Sequence, residues 1–131
     1  MTEYHYFKGI ARYNRLRQPD DYGNYVIQVE MDEESADKYR NSGIQVAIDD
    51  ENKVYFRRPD TKTINKELVE LGPPMVIDTE GTKLDDLIGQ GSEVVVKVRS
   101  YDTRKGVGHT LDAIQVRNLV PVESTHGDYN F

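Results

Sequence analysis

The sequence predicts an all-β domain with one or two short helices. Three observations carry that expectation. Stretches rich in β-formers recur at short spacing with turn residues between them. Several alternate apolar and polar residues with the period of two of a half-buried strand. Helical spacing holds over residues 32–41 and for a single turn over residues 83–88.

Residues 4–16 read as the first strand, dense in Tyr4, Tyr6, Phe7, Ile10 and Tyr13, with Gly9 marking a bulge or tight bend. Residues 18–24 supply Pro, Asp, Gly and Asn for a loop. Residues 25–31 alternate cleanly, with Tyr25, Ile27, Val29 and Met31 on one face, and should pair antiparallel with the first strand. Asp32 can cap a helix that has Glu33 and Glu34 in its first turn and closes at Ser42-Gly43. Ile44, Val46 and Ile48 alternate as a third strand, and Asp49 to Asn52 form an acidic turn into Lys53. Residues 53–58 form a strand that Pro59 ends, residues 60–63 a polar loop, and residues 65–71 an extended or strand segment before the Gly72-Pro73-Pro74 break. Residues 75–78 are short and apolar. Residues 83–88 place Leu84, Leu87 and Ile88 at the spacing of one helical turn. Residues 93–101 are the strongest strand, with Val94, Val96 and Val98 directed to a core. Residues 102–108 read as a basic turn and residues 110–122 as the last strand, where Leu111 and Ala113 fall out of phase with Ile114 and Val116 and require a bulge.

Five or six such strands with a strongly bent first pair fit a small antiparallel barrel of the oligonucleotide/oligosaccharide-binding (OB) kind, in which the face of the second and third strands takes single strands. Residues 1–122 form that domain. Residues 123–131 read as a flexible C-terminal tail ending in Phe131.

A chain of 131 residues can bury a core without staples, and it has no cysteine, hence no disulfide framework or thiolate zinc site. No apolar run reaches the roughly 20 residues of a membrane helix, and residues 1–5 show no secretory pattern. A cytoplasmic protein without a membrane partner is expected. The net charge of −6 argues against a polyanionic partner until its distribution is read. Residues 8–17, 53–66 and 97–105 carry +4, +4 and +3, which leaves −17 for the rest. Local charge makes a polyanion footprint.

Within these windows, cations alternate with rings. In residues 53–58, Val54 and Phe56 face one way while Tyr55 and Arg57 face the other. A ring for the base beside a guanidinium for the phosphate is what a single strand requires. Arg99 and Tyr101 repeat the pattern. Tyr55 and Tyr101 are the first stacking candidates, with Tyr13 next. Tyr25, in phase with Ile27 and Val29, is better read as core. Arg12, Arg15, Lys53, Arg57, Arg58, Lys62, Lys97, Arg99, Arg104 and Lys105 are the candidate phosphate contacts. Outward tyrosines are also ordinary cover for a pleated surface.

Other chemistry is thin. His5, His109 and His126 have no metal-site spacing, and Gly89-Gln90-Gly91-Ser92 lacks the lysine of a phosphate loop. Asp49-Asp50-Glu51 and Asp85-Asp86 could serve a nuclease, but both groups fall in or beside turns. No enzymatic activity, cofactor or metal is expected. A protein–protein adaptor or acidic nucleic-acid mimic is the alternative, motivated by the −17 outside the basic windows.

Four segments carry a resemblance to a known family. Lys53-Val54-Tyr55-Phe56-Arg57-Arg58-Pro59, Gly72-Pro73-Pro74, Ile88-Gly89-Gln90-Gly91-Ser92 and the strand ending Arg99-Ser100-Tyr101 resemble bacteriophage single-stranded DNA-binding proteins, the replication protein of short-tailed phages above all. The resemblance spans residues 53–122. It implies an OB barrel that coats and protects single-stranded DNA in replication, recombination and repair. It also implies a tail that meets DNA polymerase or helicase, here through Asp128, Tyr129 and Phe131. The tail departs from the family pattern, with Glu123 and Asp128 in place of an acidic run. The chain is compatible with a homodimer.

Overall fold

The computed structural model describes residues 2–85 and 87–120. Among them the elements run β1 (Glu3–Arg15), β2 (Asn24–Met31), α1 (Glu33–Asn41), β3 (Lys53–Pro59), β4 (Thr61–Ile64), β5 (Glu67–Glu70), β6 (Met75–Ile77), β7 (Glu93–Thr103) and β8 (Gly106–Asn118). Six strands form one curled sheet in the order β3-β2-β1-β7-β8-β6, and β4 and β5 form a separate hairpin.

The curl begins in β1. Its first part pairs with β7 from Glu3 to Ile10, and its second part pairs with β2 from Gly9 to Arg15. Gly9 lies in the overlap, where a Cβ would fall on the backbone of Glu30. The glycine therefore serves close strand approach, while the bulge itself falls between Ala11 and Asn14. The sheet curls until β3 meets β8. There the Arg57 N–H donates to His109 Nε2 at 3.1 Å, and the Arg58 guanidinium donates to the Leu111 carbonyl at 3.3 Å. The result is an OB-type half-barrel. The pairing is antiparallel except for β6, which runs parallel to β8, because the 72–74 break brings the chain back along the far edge.

The alternating residues fill the interior as their period requires. Phe7, Ile27, Val29, Val54, Phe56, Val94, Val96, Val98, Leu111 and Ile114 are fully buried. Phe7 and Phe56 stack with centroids 5.6 Å apart, and the Tyr39 ring meets both edge-on. Each such ring contributes about 2–3 kcal/mol by leaving water. Helix α1 is capped by Asp32, whose side chain accepts the Ser35 N–H, and it buries Ala36 and Tyr39. Its Ser35 hydroxyl accepts the Lys8 N–H, which ties helix to β1.

Four expectations from the sequence are corrected. Ile44, Val46 and Ile48 do pack on the core, but backbone pairing is limited to one parallel bridge from Ile44 to Val107. Alternation reports a buried face and cannot supply a neighbouring strand. Residues 61–64 form β4 rather than a loop, and Asn65 and Lys66 are the turn, both with positive φ. Two left-handed central residues are the signature of a tight hairpin turn, and Asn tolerates that conformation. Residues 83–85 and 87–88 are not helical. Lys83 bridges to Ile77 and the Leu84 N–H donates to the Val76 carbonyl, so the segment lies extended against β6. The basic turn after β7 shrinks to Arg104 and Lys105, since β7 continues to Thr103 and β8 begins at Gly106. The bulge expected in β8 is present: Val98 pairs with Leu111 and Lys97 with Ala113, leaving Asp112 extra, so Leu111 and Ile114 both face inward.

Candidate nucleic-acid interface

The outer face of β1, β2 and β3 follows from the core on their inner side. With Val54 and Phe56 buried, Tyr55 and Arg57 must point out. The bulge in β1 turns Tyr13 outward as well. Gln28 pairs with Tyr55 and sits opposite that bulge, so the two rings flank one strand. They meet edge to face, with centroids 6.4 Å apart at 67°. Tyr13 is 48% exposed and Tyr55 39%, so both keep surface for a ligand. The Arg57 guanidinium carbon lies 5.8 Å from the Tyr55 ring centre.

Tyr101 occupies the outer side of β7, opposite Gly108 on β8. A Cβ at Gly108 would lie 2.8 Å from Tyr101 Cε2, so the missing side chain gives the ring its seat. Lys62, from the β4–β5 hairpin, places Nζ 4.9 Å from the centre of that ring. Lys97 sits likewise 4.9 Å from the Tyr4 ring centre. Arg15 reaches the Pro19 carbonyl at 3.5 Å, and Arg104 and Lys105 are exposed in the β7–β8 turn.

Other candidates are committed elsewhere. The Arg58 side chain is only 16% exposed. Its guanidinium donates to the carbonyls of Leu71, Gly72 and Leu111 and lies 3.5 Å from Asp112. That geometry clamps the base of the hairpin to the barrel. Asp112 also lies 3.8 Å from Arg99. Arg12 pairs with Glu30 at 3.1 Å and Lys53 with Glu51 at 3.3 Å. The basic windows of the sequence thus recruit acids from outside themselves, which charge counting along the chain cannot register. Tyr25, 5% exposed, donates its hydroxyl to Asp60 and belongs to the interior.

His109 has no metal-site spacing, and the structure gives it a different task. Its ring accepts the Arg57 N–H and meets Phe56 edge-on at 6.0 Å. Burial, and then the charge of Arg57, push its pKa down from 6.5 to about 4. A neutral imidazole can accept there, and an imidazolium cannot.

The turn carboxylates do turn chemistry. Asp49 Oδ1 accepts the N–H groups of Glu51 and Lys53, and Asp85 lies 3.8 Å from Lys83. Asp86, and the tail residues Asp128, Tyr129 and Phe131, lie outside the described residues. A groove of about 770 Å³ lined by Leu16, Pro74, Met75, Leu84, Leu87 and Ile88 holds none of the residues expected to bind. No helix among the described residues is long and apolar enough to cross a membrane.

Tyr4 and Tyr6 in β1, and Tyr22 in the loop after it, are exposed rings that the sequence does not single out as candidates. The signal was present. Phe7 is core, so period two puts Tyr4, Tyr6 and Lys8 on the opposite face.

No family model and no curated protein sequence matches the chain. Solved structures do. Gp2.5, a single-stranded DNA-binding protein encoded by bacteriophage T7, superposes with a TM-score of 0.64 at 16% identity, over 98% of this chain and 93% of that one. This chain has its fold. The single-stranded DNA-binding protein of bacteriophage Enc34 gives a TM-score of 0.61 at 15% identity, over 97% of this chain and 90% of that one. The Enc34 protein in complex with single-stranded DNA gives 0.59 at 14% identity, over 92% and 89%. The curled six-stranded sheet with its OB-like half-barrel is thus a fold shared with solved structures along nearly the whole chain. The resemblance carried by residues 53–122 is to the same group of phage proteins.

Proposed function

We propose that the protein binds single-stranded DNA with little sequence preference and carries out no chemistry of its own. The observation that carries this reading is the Tyr13–Tyr55 pair with Arg57 beside it, on the outer face of β1–β2–β3. In OB barrels this is the face that receives single strands. Bases stack on the tyrosines, which is tolerant of sequence because every base has a π-face. Phosphates meet Arg57, Lys62, Lys97 and the Arg104–Lys105 turn, which position the strand without reading it. Arg58 stabilises the scaffold. The likeness in fold to phage proteins that bind single-stranded DNA supports the same reading.

Coating of DNA during phage replication, recombination and repair, with the tail residues Asp128, Tyr129 and Phe131 meeting a polymerase or helicase, is the biological setting we propose for this activity. Deleting residues 124–131 should weaken association with the cognate polymerase and leave DNA affinity equal or higher.

The primary test is a mobility shift with oligo-dT against duplex DNA at two salt concentrations. Single strands should bind in preference to duplex. Affinity should fall with a log–log slope of roughly −2 to −4, from about −0.7 per neutralised phosphate. Equal binding of duplex, or an affinity indifferent to salt, would remove the proposal.

A further inference from the structure

We infer that Tyr4 and Tyr6 form a second stacking platform that extends the path of the single strand from the β1–β2–β3 face, across β7, onto the N-terminal half of β1. This rests on the reading of the protein as a single-strand binder and lengthens its site.

Tyr4 and Tyr6 are 54% and 52% exposed, more than Tyr13 or Tyr55. Both come from one strand, two residues apart, so their rings leave the same face of the sheet. The register of β1 with β7 sets Tyr4 opposite Arg99 and Tyr6 opposite Lys97. Lys97 Nζ lies over the Tyr4 ring at 4.9 Å. The chemistry repeats that of Tyr55 and Arg57: a half-exposed ring with a cation against it. Two half-exposed rings side by side on one strand face offer adjacent π-surfaces to a stacking ligand. The cations beside them select a polyanion with π-faces over an apolar partner.

The fold connects the two platforms. At the seam, Arg57 on β3 bonds to His109 on β8, and His109 pairs with Ser100 on β7. Tyr101 lies next to Ser100 on the outer side, with its ring over Gly108 and Lys62 against it, and Lys97 follows over Tyr4. Rings and cations therefore succeed one another around the outside of the barrel. The shorter way along β1 passes Glu30 and Glu93, which hold Arg12 and Lys8. A phosphate backbone is better served by the route over β7.

The experiment compares the parent with the double variant Tyr4→Ala/Tyr6→Ala by fluorescence anisotropy. It uses labelled dT oligomers of about 5 and about 16 nucleotides, near the ends of the range of site sizes for such barrels. The parent must bind the short oligomer, which tests the underlying reading separately. The variant should match the parent on the short oligomer and bind the long one at least roughly 30-fold more weakly, the loss expected when two stacks disappear together. Tyr4→Phe/Tyr6→Phe should restore the long-oligomer affinity, because the ring and not the hydroxyl does the stacking. Thermal unfolding of all variants should coincide. Equal affinity of variant and parent for both lengths would overturn the inference, and so would an equal loss at both lengths. A dimer in the parent that disperses in the variant, with DNA binding unchanged, would assign the rings to a second copy of the chain and overturn it as well.

Discussion

On the inner face of β3, Val54 and Phe56 are fully buried, with Phe56 wedged among Phe7, Tyr39 and His109. On its outer face, Tyr55 and Arg57 stand half-exposed beside Tyr13. The two faces share one backbone and differ by one residue of register. The inner face holds the barrel closed, and the outer face presents rings that the barrel does not need for its own packing. Arg58 breaks the alternation of roles: at the rim, where the strand leaves the barrel, a cation faces inward and finds three carbonyls and a carboxylate instead of water. Stability and ligand binding should therefore be separable by substitution along this single strand.

The largest effect is expected on the inner face. Phe56→Ala removes a ring that three others touch and should destabilise the fold by about 3–5 kcal/mol in chemical denaturation. A loss below about 1 kcal/mol would mean that the two faces are not divided in this way.

The neighbouring arginines sharpen the contrast. Arg58→Ala leaves three carbonyls without their donor and Asp112 with Arg99 alone, and should cost about 1–3 kcal/mol of stability. Arg57→Ala should leave stability within about 0.5 kcal/mol and make the salt slope of DNA binding shallower by about 0.7. Interchanged phenotypes would reverse the assignment of the two residues.

His109 joins the faces across the seam and adds a pH dependence. Its pKa is lowered in the folded protein from 6.5 to about 4. The unfolded chain therefore takes up this proton near pH 6.5, while the folded protein does so only near pH 4. The contribution of His109 is complete above pH 6.5 and is lost as the pH falls from 6.5 to 4, by on the order of 3 kcal/mol. Denaturation midpoints of parent and His109→Gln measured across this window should converge at the acid end. Parallel pH profiles would show that the imidazole is not held neutral.

The smallest effects belong to the outer face. Tyr55→Ala should weaken single-strand binding by about 1–3 kcal/mol with thermal stability nearly unchanged, and Tyr101→Ala should do the same. Gly108→Ala offers a finer probe. It leaves the Tyr101 ring in place chemically but crowds its seat, so it should weaken binding less than Tyr101→Ala. If both tyrosine variants bind like the parent, the rings only cover the barrel.

Much of this was legible in the sequence. Period two in residues 25–31, 53–58 and 93–101 fixed which side chains enter the core, because a strand sends alternate residues to opposite faces whatever its neighbours are. The phase change at Leu111 to Ile114 announced the Asp112 bulge by the same rule. Asp32 and the two glutamates after it located α1, since a helix start needs an acceptor for its free N–H groups. Only the tertiary structure decided the rest, because it depended on partners distant in the chain. Which cations keep an open outer face and which are held by Glu30 or Asp112 followed from strand register. The bridging role of His109 required β3 and β8 to meet, more than 50 residues apart. The seat of Tyr101 required Gly108 to come opposite it. Local period determines the direction of a side chain, and only the closing of the sheet determines what it meets there.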